Sequence, residues 1–153
     1  MVRKALIDTS VLIALHKVDL IEKLSILWTE IKIPNGVKVE FTRKGKASIM
    51  RKLLRKFFEL CKVSDEFSVE WLIKEGLGHG EAEVIVQARE TGVKEVIIDE
   101  IRARKYAGYH GLNVIGSIGI LRELKKVGII SDVSMIVDKL RKGGVRLPPN
   151  WKV

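Results

Sequence analysis

Only one cysteine, Cys61, occurs in the 153 residues. That excludes an intrachain disulfide and the usual multi-cysteine zinc site. Cys61 falls on the apolar side of an expected helix, which predicts a buried, inert thiol. No apolar run approaches the roughly 18–20 residues needed to cross a bilayer. The first residues, Met1 to Asp8, enter a strand-like run at once, without the apolar h-region of a signal peptide. The expectation is a cytoplasmic protein with no membrane partner. Nucleotide-binding signatures are also missing. The glycine-rich stretch 76–80 lacks the Lys-Ser/Thr of a P-loop. Gly116-Ser117-Ile118-Gly119 is too short for a dinucleotide fingerprint, and close helix–strand packing is the expected reason for its glycines. Ser10, His79 and Asp99 are the residue types of a hydrolase triad, but no Gly-x-Ser-x-Gly elbow is present, so that chemistry is discounted.

What is present is an ordinary apolar fraction, 46%, and a formal net charge of +9. The chain is long enough for one domain with a sizeable core, and a single domain over 1–153 is expected. Excess positive charge suits a polyanionic partner, foremost nucleic acid. Lys and Glu enrichment with scarce Asn and Gln also describes a heat-adapted surface. The basic residues are concentrated in 43–62, where Arg43, Lys44, Lys46, Arg51, Lys52, Arg55, Lys56 and Lys62 face only Glu59. The polar side of this stretch, with Arg51 and Arg55, is either an RNA track or a plainly solvated helix face.

Hydrophobic periodicity alternates between strand and helix. Residues 4–8 read as a short apolar strand ending in Asp8-Thr9-Ser10, and Val11, Leu12, Leu15 and Val18 follow at helical spacing. A second strand is expected at 30–33, closed by Pro34-Asn35-Gly36, then helical segments to about residue 61. Ala47, Met50, Leu54, Phe57, Phe58 and Cys61 share one side of the last of these. Residues 62–64 are a third candidate strand, 65–75 a helix, and 81–91 a helix ended by Gly92. Strands at 95–99 and 112–115 and helices at 100–108, 117–127 and about 133–142 complete the pattern. Continuous apolar strands between amphipathic helices predict an α/β fold with a mainly parallel sheet covered on both faces. Ligands of such sheets bind beyond the carboxyl ends of the strands.

Four acids occupy strand ends or helix starts: Asp8, Glu40, Glu81 and Asp99. Asp8 and Asp99 end apolar strands and so fall on one sheet edge. Glu81 follows Gly78-His79-Gly80 at a helix start, where the dipole favours its charge. Glu40 lies early in the helical stretch after Pro34. Each acid alone has an ordinary reading as a cap, a dipole partner or a solvated side chain. Together they outline an oxygen-ligand site for Mg²⁺ or Mn²⁺, because convergent buried carboxylates repel one another without a cation. Thr9 and Ser10 are alternative caps or orienting groups for Asp8. Glu83 is expected to point away from Glu81, towards solvent or in support. Arg102 and Arg104 are candidates for contacting substrate phosphates, and a hydrated helix face is the alternative.

In this order the motifs resemble the PIN-domain family of metal-dependent ribonucleases. The resemblance runs through Ala5-Leu6-Ile7-Asp8-Thr9-Ser10-Val11-Leu12-Ile13, Ile33-Pro34 with Val37 and Glu40, Gly80-Glu81-Ala82-Glu83-Val84-Ile85, and Val96-Ile97-Ile98-Asp99-Glu100 with Arg102-Ala103-Arg104. Residues 113–121, Asn113 to Leu121, are similar to the closing part of the branch that holds the toxins of VapC-type toxin–antitoxin pairs. The resemblance implies a three-layer α/β/α fold, Mg²⁺ or Mn²⁺, cleavage of single-stranded RNA, a homodimer and an antitoxin partner. It implies ligand roles for Asp8, Glu40, Glu81 and Asp99, with Glu100 as a competitor for the fourth place. The sequence departs from the pattern at Glu81, where Asp is usual. A non-catalytic RNA-binding or scaffold module and a small-molecule phosphoesterase remain as the other readings.

Overall fold

In the computed structural model, residues 2–147 are described. Pro148, Pro149 and Trp151, which the sequence offers as a packing tail, lie outside them. Five strands form one sheet in the order β3-β2-β1-β4-β5, with every neighbouring pair parallel. They are β1 (Lys4–Ile7), β2 (Glu30–Pro34), β3 (Phe58–Cys61), β4 (Glu95–Ile97) and β5 (Asn113–Ile115). Ala5, Leu6 and Ile7 of the central strand are fully buried, as are Ile31, Ile33, Val96 and Ile97. Burial of successive residues, rather than alternate ones, is what a sheet covered on both faces requires. The expected α/β architecture is therefore the observed one.

Helices α1 (Thr9–Lys17) and α2 (Leu24–Leu27), joined by a 3₁₀ turn, lead from β1 to β2. Helices α3 (Asn35–Phe41) and α4 (Ala47–Lys56) lead from β2 to β3, and α5 (Glu66–Lys74) and α6 (His79–Thr91) from β3 to β4. Helix α7 (Ile101–Tyr109) joins β4 to β5, and α8 (Ser117–Lys126) and α9 (Val133–Lys142) follow. The chain moves outward from β1 to β3 and then returns to the other side of β1. Right-handed crossovers consequently place the helices of these two excursions on opposite faces. Helix α6 packs on β1, β2 and β4 and against α5 and α7, while α1 packs against α8 and α8 against α9. Helix α3 touches both α1 and α6, bridging the two helical layers.

Local sequence explains most element ends. Asp65, Glu100 and Asp132 cap α5, α7 and α9 by accepting the N–H of Ser68, Ala103 and Met135. Gly92 closes α6 at φ 75°. Two expectations are corrected. The helix expected to reach residue 61 stops at Lys56, and Phe58 to Cys61 pair with Ile31 to Pro34 as an edge strand. The third strand is thus 58–61 and not 62–64. Helical spacing of Phe57, Phe58 and Cys61 cannot reveal that the neighbouring β2 offers an open ladder of backbone groups. Cys61 is only half-buried, and burial pushes its thiol up to about 12.

Candidate functional site

Because all strands run the same way, the ends of β1 and β4 meet at one edge. They are neighbours there, and the chain departs from them in opposite directions, which makes this the topological switch point of the sheet. Asp8 follows β1 and continues its pairing through an N–H donated to Ile97 O at 3.0 Å. Asp99 stands two residues beyond β4. Asp8 occupies the cap position of α1, but its carboxylate caps nothing. It accepts instead from Ser10 Oγ at 3.1 Å. Only 3% of Asp8 is exposed, and its carboxyl is pushed up to about 7 from 3.8. Burial is the main cause, then the charge of Glu81; the Thr9 N–H and Ser10 hydroxyl oppose the shift, and Glu40 adds to it.

Glu40 reaches this point from α3. Its Oε1 accepts the Gly80 N–H at 2.9 Å. A Cβ placed on Gly80 would lie 2.8 Å from Glu40 Oε1 and 3.2 Å from Asp8 Oδ1, so glycine lets α6 approach both carboxylates without displacing the Glu40 side chain. The register of α3 is held by Glu83, which accepts the Gly36 N–H at 2.8 Å and meets His79 Nε2 at 2.6 Å. The Glu83 side chain is only 12% exposed. It is a tie between α6 and α3, the supporting one of the two roles that the sequence left open. Glu81 reaches back to the Gly78 N–H at 3.0 Å. Burial raises its carboxyl, the Gly78 N–H opposes this, and the charges of Glu100 and Glu40 raise it further.

Asp99 is gripped by α8: Oδ1 accepts the Ser117 N–H at 2.7 Å and Oδ2 the Ser117 Oγ–H at 2.5 Å. Glu100 accepts the Ala103 N–H at 2.7 Å, capping α7. The acids divide between two adjoining hollows. Asp8, Glu40 and Glu81, with Thr9, Ser10 and Lys44, line one of about 150 Å³. Glu81, Asp99 and Glu100, with Lys17 and Arg146, line one of about 580 Å³. Glu81, Ser10 and Ile13 are common to both, so the hollows form one crevice with an acidic floor. All five acids named from the sequence are brought to it. Asp99 and Glu100 differ in what holds them, one by α8 and the other by its own helix.

The donor set suits a hard divalent cation, being all carboxylate with hydroxyls beside it. Two observations favour such a cation here. Asp8 is a nearly buried acid surrounded by acids, and among the described residues it makes no ion pair with Lys, Arg or His. Thr9 Oγ1, in the same hollow, is buried without a hydrogen-bond partner among the described residues. As the side chains stand, no three acid, histidine or cysteine groups among the described residues close on one point tightly enough to hold an ion. Each carboxylate here takes a nearby N–H or O–H instead.

The arginines expected at the substrate are not among the residues lining these two hollows. Arg51 and Arg55 line a separate basic hollow on α4 with Lys52 and Lys56. Arg104 donates to Ile98 O at 2.9 Å and stands with Asp99 at Gly116, and Arg102 lies over Gly76. The cations lining the acidic crevice are Lys44, Lys17 and Arg146. Of these, only Lys44 has a sequence signal, its place beside Gly45 in the basic stretch. Lys17 and Arg146 are brought in by packing between distant segments. No helix among the described residues is long and apolar enough to cross a membrane. A family model, DUF3368, described as a PIN domain, matches residues 4–152. No curated protein matches the chain.

Proposed function

The chain belongs to the PIN-domain family, whose members are in general nucleases that use divalent metal ions, and from this we propose that it is a Mg²⁺- or Mn²⁺-dependent endoribonuclease of single-stranded RNA. Asp8, Glu40, Glu81 and Asp99 would hold the ion, with Glu100 beside them. The observation that carries the reading is the gathering of these carboxylates around buried Asp8 at the switch point, in a chain of net charge +9. When bound, the ion supplies charge that lowers the pKa of water and offsets charge developing on phosphorus. The protein's own residues provide the frame. Asp8 is held by Ser10, Asp99 by Ser117, and Glu40 by the Gly80 N–H. Ile13 adds an apolar side chain to the crevice lining. Arg51 and Arg55 extend the basic surface beyond it as a track for the RNA backbone. The VapC-like motifs support a toxin role, with a homodimer and an antitoxin as partners.

The test is cleavage of single-stranded RNA with Mg²⁺ or Mn²⁺ by the parent, Asp8→Asn and Asp99→Asn. Each substitution should reduce the rate about 100-fold or more, the upper range for lost metal-site groups. Equal cleavage by all three proteins would remove these residues from the mechanism. RNA binding that persists in EDTA, with no cleavage under either metal, would favour the non-catalytic module.

A further inference from the structure

The acidic crevice is lined by cations from segments distant in the chain. Lys44 lines the smaller hollow, where Asp8, Glu40 and Glu81 lie, and Arg146 lines the larger one, beside Glu81, Asp99 and Glu100. Both are held in place by local construction. Lys44 stands at the kink between α3 and α4, within Thr42–Lys46, where the backbone leaves helical geometry: Lys44 has φ −85° and ψ 19° and Gly45 has φ 78°. Arg146 lies between Val145 and Leu147, which pack partly buried against the core, while Arg146 itself is exposed. The turn before it is tied down twice: Lys17 Nζ donates to Gly143 O at 2.7 Å, and the Val145 N–H to Leu140 O at 3.0 Å.

Cations on either side of an acidic floor offset its repulsion of a polyanion and can hold the phosphates there. We propose that Lys44 and Arg146 are phosphate-positioning residues that hold a single-stranded nucleic acid across the crevice, one on each side of the bond to be cut, with Lys17 fixing the segment that carries Arg146. This rests on the nuclease reading and adds to it the path of the strand. The path runs from the α3–α4 break to the segment after α9, rather than along α4 alone. Arginine's planar fork suits two oxygens of one phosphate, whereas lysine offers a point charge.

The experiment measures cleavage of a short fluorescent RNA by the parent and by Lys44→Ala, Lys44→Arg, Arg146→Ala, Arg146→Lys and Lys126→Ala. Lys126, at the end of α8 remote from Ser117, controls for loss of one charge. Binding of the same RNA is measured against salt in the Asp8→Asn background. Lys44→Ala and Arg146→Ala should each raise KM about 5–20-fold with kcat within about twofold. Each should also reduce the salt slope by about 0.7, the contribution of one phosphate contact on a single strand. Lys44→Arg and Arg146→Lys should recover most of the loss, and Lys126→Ala should match the parent. Active parent with unchanged KM and slope in the two alanine variants overturns this inference and leaves the nuclease reading standing. Inactive parent whose RNA binding still weakens in those variants overturns the nuclease reading and keeps the strand path. Inactive parent with unchanged binding overturns both.

Discussion

Asp8 is a nearly buried carboxyl set among other acids. Burial, then the neighbouring Glu81 charge, hold its carboxyl near about 7 rather than 3.8. The folded protein therefore binds this proton more tightly than the unfolded chain. The stability it contributes is fully present below the ordinary carboxylate value and is lost as pH rises through about 7. In EDTA, Asp8→Asn should escape this loss and exceed the parent in stability by roughly 1–3 kcal/mol at pH 8, with little difference at pH 4. Urea unfolding across that range measures it, and identical pH profiles for the two proteins would show that Asp8 is not held in this way. A substitution that stabilises the fold while removing cleavage is what a functional, unpaired buried acid predicts.

At the scale of elements, the break between α3 and α4 does more than punctuate the chain. Lys44 at the break lines the crevice, and the basic residues of α4 line a separate hollow. Gly45 permits the turn by adopting φ 78°. Nothing lies within 4 Å of where its Cβ would stand, so Gly45→Ala tests backbone conformation alone. The substitution should cost about 1–2 kcal/mol in urea unfolding, the penalty for an alanine in the left-handed region. No cost would mean that the break does not depend on that conformation. Sequence periodicity foresaw helical segments to about residue 61 without placing the boundary between them. It had no means of locating the bend that brings Lys44 round, or of ending the run for β3, because both depend on partners distant in sequence.

Across the whole molecule, the two edges of the sheet treat charge in opposite ways. At the amino-terminal edge Arg3 pairs with Glu95 at 2.7 Å and Glu123 at 3.2 Å, and Trp28 Nε1–H donates to Glu95 at 3.0 Å. Burial pushes the Glu95 carboxyl up, but the Arg3 and Trp28 hydrogen bonds outweigh it and leave it lowered. Charge there is matched and serves stability. At the carboxyl edge like charges gather around Asp8, and the proposed divalent cation would complement them. Binding of Mg²⁺ or Mn²⁺ to the folded state alone should stabilise it by about 2–3 kcal/mol at a hundred times the Kd. Thermal unfolding at increasing metal should show a rising Tm for the parent and a much smaller rise for Glu81→Gln. A parent Tm indifferent to both metals would count against the assigned ligand set.

The sequence by itself determined the α/β class, the parallel sheet and the placement of Asp8 and Asp99 on one edge. Those follow from apolar runs, helical spacing and the fact that a parallel strand must end where its neighbours end. It also named Glu40, Glu81 and Glu100, although Glu40 alone reads as a solvated helix acid. Tertiary structure decided that Glu40 faces Asp8 across Gly80, that Glu83 is a tie between helices, and that Lys17, Lys44 and Arg146 are the cations at the crevice. Periodicity records which side of an element is apolar. It does not record which distant segment will pack beside a polar one, and that packing set the charges around the acids.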